Sequence, residues 1–362
     1  MEVKVKASKN KSLLCKDNFA INKPFKKKIS FLEEDFTRIL NRYMENYKPL
    51  YINFVGNPKS LKEKANSKNY LIKVKNGNFL LKQIHKKHID YNSIKKLTSQ
   101  MIWCKKNGIP GPKIYNTIKQ KPFTSYNNHY WILMEYIDGF YFSGTVDHLK
   151  KSAQQTAKLV KALKNLPRNL LPTRQKEIYF SPKEKKVFLK LAALKPQWAV
   201  IFGESLSLKL NKNWPLLNEI WEELNNNNYL NKTESTCIHH DLHPHNFLFK
   251  QGKAYILDYD SLIQGPLKSA IGFTILKLLK YIHDNNSSFY SKANNFYNIW
   301  INSYSKILPN NFDKKTIINY GKAEVFRRFL SMIDKKIKKI PSSFNGPEIH
   351  LDTLIMSDKI IK

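Results

Sequence analysis

Residues 237–261, CIHHDLHPHNFLFKQGKAYILDYDS, constrain the fold more than any other part of this 362-residue chain. Cys237 and Ile238 make an apolar approach to a polar loop that opens on His239 and His240 and closes at Asn246. Phe247, Leu248 and Phe249 follow, then a turn at Gln251-Gly252 between two lysines, then the alternating run Ala254-Tyr255-Ile256-Leu257 ending in Asp258. The pattern is a short β-hairpin with a polar loop at each end. In such a ladder the residues before the first strand and after the second lie at the same end, so Asp241, Asn246 and Asp258 converge. Two carboxylates and a carboxamide are hard oxygen donors. They suit Mg2+, which keeps several waters and is shared with substrate phosphates.

The spacing narrows the chemistry. Asp241 and Asn246 stand five apart, the D-x-x-x-x-N of a phosphoryl-transfer loop, in which the Asp meets the acceptor hydroxyl and the Asn holds a metal. Asp258 then takes the place of a second metal-binding carboxylate. H-R-D, D-F-G and A-P-E are all absent, which excludes an ordinary protein kinase. At His239, Asp241, Asn246 and Asp258, with Leu242-His243-Pro244 between, the chain resembles the aminoglycoside phosphotransferase and choline kinase family. The signature of that family is H-x-D-x-x-x-x-N, an apolar strand and an Asp. The resemblance implies an α+β, protein-kinase-like two-lobed fold, with a small antiparallel-sheet N-lobe and a larger, mostly helical C-lobe. It implies ATP and Mg2+ as cofactors, a small-molecule hydroxyl as acceptor, Asp241 and His239 as the catalytic-loop pair, with His239 bracing the loop, and Asn246 and Asp258 as metal ligands.

Other readings of the same residues give less. His239, His240, His243 and His245 suggest zinc, but no Cys pair or fourth ligand stands at a customary spacing. A plain hairpin with incidental acids leaves the two aspartates without a role, although polar residues at strand ends are common.

A kinase-like reading demands a strand lysine upstream to neutralise nucleotide phosphates. Residues 70–74 and 79–83 are apolar-rich runs joined by Lys75-Asn76-Gly77-Asn78, and Asn-Gly signals a hairpin. The second run carries Lys82, assigned to the phosphates against the alternative of a surface lysine. Ahead of it, Asn66-Ser67-Lys68-Asn69 occupies the place of a phosphate-covering turn, so Ser67 and Asn69 join Lys82 as cofactor-binding candidates. Gly56 offers an alternative loop. Ile94, Leu97, Met101, Ile102 and Cys104 recur at helical spacing and are closed by Asn107-Gly108 and Pro110. The helix in this position normally supplies a glutamate to the strand lysine, and none is present. Asp90, Gln100 or no partner at all remain for Lys82. The run from Tyr130 through Met134 to Glu135, Tyr136, Ile137 and Asp138-Gly139 is an apolar strand entering a turn. In kinase-like folds the backbone of residues such as Glu135 and Ile137 binds the adenine edge; a buried strand without ligand is equally compatible with these residues.

The length and the 42% hydrophobic content suffice for two lobes. The division expected is a basic arm and helix at 1–48, a nucleotide-binding N-lobe at 49–138, and a C-lobe with catalytic loop and acceptor site at 139–362. Residues 1–29 are lysine-rich and aperiodic. Ser30-Phe31-Leu32-Glu33 is a capping box before Phe36, Ile39, Leu40 and Tyr43, which predict a helix packed on the N-lobe. Helices are expected over 146–166, 214–224, 271–283, 289–307 and 316–337, with a solvated loop at 225–228. Asp260 belongs on the opposite strand face from Asp258 if the strand continues. No secretory signal or membrane-spanning run is present, and Cys15, Cys104 and Cys237 show no pairing pattern, as in a reduced, cytoplasmic protein.

The net charge is +34, and residues 59–121 alone hold sixteen lysines against Glu63 and Asp90. A polyanionic partner such as nucleic acid is one reading. Lysine enrichment spread over a solvated surface is the other, favoured because no aromatic-interleaved basic motif accompanies the charge. An anionic substrate is also compatible, and Arg327 and Arg328 are candidates to line its pocket or to form a solvated face. After Gly265-Pro266 the family often carries Asp-Leu-Ala, whereas Leu267-Lys268-Ser269-Ala270 lacks that Asp. Besides a small-molecule kinase, two classes therefore remain: a pseudokinase or regulatory module that keeps the fold, and a basic nucleic-acid-binding protein.

Overall fold

The alternation of apolar residues along 67–85 builds the centre of a sheet. The computed structural model describes residues 33–45, 49–55, 67–173, 182–226, 235–309, 312–340 and 346–361. The lysine-rich arm with Cys15, the capping-box residues Ser30, Phe31 and Leu32, the 56–66 stretch with Gly56 and Asn66, and Asn227 and Asn228 lie outside these. The described residues fall into two compact units, Met1–Asp90 with Tyr115–Tyr136, and Tyr91–Ile114 with Ile137–Lys362. The helix after Lys82 thus groups with the second unit, so the units interleave in sequence.

In the first unit, β1 (Tyr51–Val55), β2 (Ser67–Val74), β3 (Gly77–His85), β4 (Thr124–Tyr126) and β5 (His129–Glu135) form an antiparallel sheet in the order β1-β2-β3-β5-β4. Gly77 opens β3 at φ 149°, a value that disfavours any side chain. The expected helix is present as α1 (Glu33–Leu40). Phe36, Ile39, Leu40 and Tyr43, at spacings of three and four, present one face. That face is fully buried on Tyr70, Ile72 and Val74 of β2, Leu81 of β3, and Trp131 and Leu133 of β5. Phe36 meets the ring of Tyr70 edge-on at 5.1 Å, and Tyr43 donates its hydroxyl to the Trp131 carbonyl at 2.5 Å. Burying each such side chain contributes about 1.5–3 kcal/mol, so four of them fix the helix on the sheet.

The second unit is mostly helical. It contains α2 (Tyr91–Lys106), α3 (Val146–Lys164), α4 (Pro182–Ala193), α5 (Trp198–Phe202), α6 (Glu204–Asn226), α7 (Leu267–Asp284), α8 (Phe289–Ser305), α9 (Lys314–Ile337) and α10 (Glu348–Ile361). Helices α3, α7, α8 and α9 match the expected ranges within a few residues. Helix α6 starts ten residues earlier than Trp214 and carries Pro215 inside it. Two small antiparallel sheets complete the unit: β7 (Ser235–His239) with β10 (Leu262–Pro266), and β6 (Phe140–Tyr141), β8 (Phe247–Lys250) and β9 (Lys253–Ile256) in the order β6-β8-β9. No described helix is long and apolar enough to cross a membrane.

Helices α7 and α9 cross where Gly272 and Gly321 face each other. A Cβ on Gly272 would lie 2.3 Å from the Ile317 carbonyl oxygen, and one on Gly321 would lie 2.6 Å from the backbone of Gly272. Only hydrogen fits at either position. Asp313 caps α9 by accepting the Thr316 N–H at 2.9 Å. This close crossing sets the position of the next two turns of α9, which carry Glu324, Arg327 and Arg328.

Candidate active site

Hairpin β8–β9 pairs Phe247 with Ile256, and its turn has Gln251 at φ 47° and Gly252 at φ 74°, the two left-handed residues of a type I′ connection. One residue beyond that pair, the Leu257 N–H donates to the Asn246 carbonyl at 3.0 Å. Asn246 and Asp258 thereby stand at one end of the ladder, as their spacing predicts. β9 ends at Ile256, and Asp258 adopts left-handed backbone, φ 60° and ψ 53°, before a single 3-10 turn over Tyr259–Ser261. Asp260 therefore belongs to that turn and not to a continued strand. A left-handed aspartate is strained, and such strain recurs where a side chain must be aimed at a ligand.

The loop before β8 is held from several sides. His239 is buried, its Nε2 3.0 Å from the Leu257 carbonyl, and its Nδ1 accepts the Asp241 N–H at 3.3 Å. Burial pushes its pKa down, so the ring is neutral, with the proton on Nε2 and the lone pair on Nδ1. It ties the loop to the far strand of the hairpin. His240 Nδ1 lies 2.6 Å from the Ser261 carbonyl. Asn246 donates its amide to the Asp241 carbonyl at 2.7 Å, which orients its Oδ1 away from that bond.

Asp241 itself is gripped from α9. Arg328 donates to Asp241 Oδ1 at 2.6 Å and to the His240 carbonyl at 2.7 Å, while its Nε donates to Glu324 at 2.7 Å. Arg327 donates twice to the same glutamate, at 2.9 and 3.0 Å. The Arg328 guanidinium also lies 3.9 Å over the ring of Phe273 on α7. Burial alone would raise the Asp241 pKa, but Arg328, with His243 and His240, holds it well below the usual carboxylate range. Asp241 Oδ2 is 3.9 Å from His243 Nε2, too far for a hydrogen bond. Burial pushes His243 down to about 4, so it too is neutral.

The donor chemistry at the end of the hairpin fits a hard divalent cation. Asn246 and Asp258 supply two oxygens, and Mg2+ asks for one or two protein oxygens with the rest from water and phosphate. Among the described residues no three His, Cys, Asp or Glu side chains gather as a metal centre.

In the first unit, Lys82 lies on the central strand β3, buried, paired with Asn69 on β2 and Ile132 on β5. Ser67 and Asn69 alternate onto the same sheet face as Lys82, opposite α1. Both sit within strand β2, where the sequence suggested a turn, because Ser67–Val74 pairs continuously with β3. Asn69 Oδ1 is buried with no hydrogen-bond partner, a polar atom aimed at the same face as the lysine. Glu135 ends β5, and Ile137 is buried two residues later. Gln100 on α2 donates to the Leu170 carbonyl at 2.7 Å within the second unit, so its amide is engaged there.

The model of the phosphotransferase enzyme family matches residues 59–267, more than half of the chain. The chain belongs to this family. Its fold is the protein-kinase-like fold of small-molecule phosphotransferases, and solved structures of similar shape agree. The structure of amicoumacin kinase hAmiN in complex with AMP-PNP, Ca2+ and Ami is 12% identical, with a TM-score of 0.61 over 91% of this chain and 93% of that one. An aminoglycoside phosphotransferase from Alicyclobacillus acidocaldarius is 10% identical, with a TM-score of 0.60 over 90% and 92%. Choline kinase LicA from Streptococcus pneumoniae is 13% identical, with a TM-score of 0.54 over 91% and 98%. No curated protein matches the chain in sequence.

The matched region stops where α7 begins, so the arginine and glutamate of α9 that hold this phosphotransferase's loop lie beyond it. The sequence did single out Arg327 and Arg328. It did not connect them to Asp241, nor pick out Glu324, although E-x-x-R-R at three- and four-residue spacing was the available signal. With Leu267 after Gly265-Pro266 where the family often has Asp, the loop is tied by Arg328 and His239.

Proposed function

We propose that the chain is an ATP-dependent kinase that phosphorylates a hydroxyl group of a small molecule, with Mg2+. The observation that carries this reading is the convergence of Asp241, Asn246 and Asp258 at one end of the β8–β9 hairpin, with Asp241 locked by Arg328. The relatives of similar shape are described as kinases of such compounds, and the family assignment supports the reaction class.

Asp241 Oδ1 is committed to Arg328, while Oδ2 accepts no hydrogen bond from a described residue. Oδ2 would receive the acceptor hydroxyl and orient its oxygen toward the γ-phosphate. A carboxylate kept so acidic contributes by position and charge more than by taking the proton early, in keeping with a reaction that asks little covalent work of the protein. His239 would hold the loop backbone at that geometry. Asn246 and Asp258 would hold the Mg2+, which would supply positive charge against that of the nucleotide phosphates. Lys82, with Ser67 and Asn69 on its sheet face, would neutralise phosphate charge, and the backbone at Glu135 and Ile137 would meet the adenine. In this scheme residues 49–138 serve the nucleotide and 139–362 the acceptor.

The test is ADP release from Mg-ATP across a panel of amino alcohols, sugars and aminoglycosides. Wild-type protein is expected to release ADP with at least one acceptor, dependent on Mg2+, and Asp241→Asn to lower kcat by about 10²–10⁴ while binding ATP equally. No release with any acceptor, or equal release by the variant, would contradict the reading.

A further inference from the structure

Around Asp241 the charges do not cancel. Arg327 and Arg328 share Glu324, and Arg328 also takes Asp241. On α7, Lys280 is held by both carboxylate oxygens of Asp284. Lys277 has neither. It lies one turn beyond Phe273, on the same face of α7, and Phe273 is the ring beneath the Arg328 guanidinium. Its electrostatic neighbours are Arg328, Lys280, Asp241 and Asp284, and no described residue forms an ion pair or hydrogen bond with its Nζ.

The remaining groups facing this point do not compensate it. His350 on α10 is buried, its Nδ1 has no hydrogen-bond partner, and burial with Lys277 and Arg328 pushes it down to about 3. His243 is neutral as well. Two neutral imidazoles and a surplus cation thus border the carboxylate that the proposed reaction assigns to the acceptor hydroxyl. Folding a cation into a site without its counter-ion is unfavourable, and the counter-ion is then expected from a ligand. A pocket for a cationic alcohol would instead need a surplus of carboxylates here, and among the described residues every carboxylate of the cluster already has its arginine or lysine.

We propose that the acceptor is an anionic alcohol, a hydroxy acid or a sugar or polyol phosphate, whose carboxylate or phosphate pairs with Lys277 while its hydroxyl meets Asp241 Oδ2. This rests on the kinase reading and names the substrate class for it. Lys277 becomes a specificity-determining residue, and His350 Nδ1 a second polar contact within the same cluster.

The experiment compares alcohols that differ mainly in charge: glycerol, 3-amino-1,2-propanediol, glycerate and glycerol 3-phosphate, with ribose, kanamycin, gluconate and ribose 5-phosphate as larger counterparts. Binding is read by calorimetry in the presence of Mg-ADP, and turnover by ADP release, on wild type, Lys277→Gln and Lys277→Arg. Anionic alcohols are expected to bind best. Lys277→Gln is expected to raise their KM or Kd by about ten- to a hundredfold with little change in kcat, and Lys277→Arg to restore most of it. The carboxylate and phosphate arms tell which anion is preferred. Stronger binding of the amino alcohols, failure of every anionic alcohol to bind, or indifference of anion binding to Lys277→Gln overturns the inference. Anion binding that depends on Lys277 without any ADP release supports it and contradicts the kinase reading instead. Lys277→Gln removes a half-buried cation and is expected to leave the protein folded, which thermal unfolding checks directly.

Discussion

A carboxylate that accepts an arginine N–H at 2.6 Å, from an arginine itself anchored by Glu324, stays ionised throughout the physiological range, so Asp241 keeps a fixed position and charge. The titration relevant to the acceptor then belongs to Lys277. Burial, with Arg328 and Lys280, pushes it down to about 8 from its ordinary 10.5, against the opposing pull of Asp241 and Asp284. Facing it are Arg328 on α9, Asp241 and His243 in the loop and His350 on α10, of which the histidines are neutral. The folded state loses this proton before the unfolded state does. Burying the cation therefore weakens the fold below pH 8, and the penalty fades as pH rises through 8 to 10.5. Anion recognition runs the other way, since it needs the proton. We expect kcat/KM for an anionic acceptor to fall above about pH 8, and Lys277→Arg to remove that limb because a guanidinium does not titrate there. At Asp258 the left-handed backbone offers a cleaner separation of folding from chemistry. Asparagine tolerates that conformation as well as aspartate, so Asp258→Asn should unfold within about 0.5 kcal/mol of wild type while losing at least about a hundredfold in kcat. An unfolding free energy lowered by several kcal/mol would instead make Asp258 structural. At this scale the sequence was eloquent about Asp241, Asn246 and Asp258, whose spacing survives in the fold, and silent about the tie from Arg328 to Asp241. Those two stand 87 residues apart, and partners so distant leave no local pattern.

Helix α9 reaches the catalytic loop because α7 and α9 touch backbone to backbone at Gly272 and Gly321. A methyl group on Gly321 would stand 2.6 Å from Gly272 atoms, so the helices must separate to admit it. Gly321→Ala is expected to lower stability by about 1–3 kcal/mol and to reduce turnover more than ATP binding, as Arg328 withdraws from Asp241. Denaturant unfolding and steady-state kinetics check both parts. Elements with a one-sided apolar stripe, such as α1 and α3, were legible from spacing. Helix α10 was not, because Leu351, Thr353, Leu354, Met356 and Ser357 bury several sides of it and erase the stripe. Helix α6 was read short because Pro215 resembles a first-turn proline, yet it lies in mid-helix. Ser67 and Asn69 look like turn residues by composition, and strand pairing with β3 overrode that preference.

For the molecule as a whole, the net charge of +34 creates a field that attracts anions from solution, nucleotide and acceptor alike. Raising salt from about 0.05 to 0.5 M shortens the range of that field severalfold, so kcat/KM for an anionic acceptor should fall several-fold while kcat holds nearly constant. Equal salt sensitivity of a neutral acceptor would point to a cause other than steering. The two-part organisation was legible from the order of lysine strand, helix, apolar strand and catalytic loop, and the family match over 59–267 coincides with that order. The proposed acceptor side was not legible, because α7, α9 and α10 carry no motif of their own. The proposed transfer of phosphate to an alcohol is tested most directly by one measurement: the fate of γ-labelled phosphate from Mg-ATP, incubated with the anionic and amino alcohol panels, on wild type and Asp241→Asn at equal nucleotide occupancy. Label appearing in a phosphorylated alcohol with wild type, and reduced at least about a hundredfold in the variant, is the predicted result. Label that stays in ATP or passes only to water, or moves to the alcohol equally in both proteins, would contradict it.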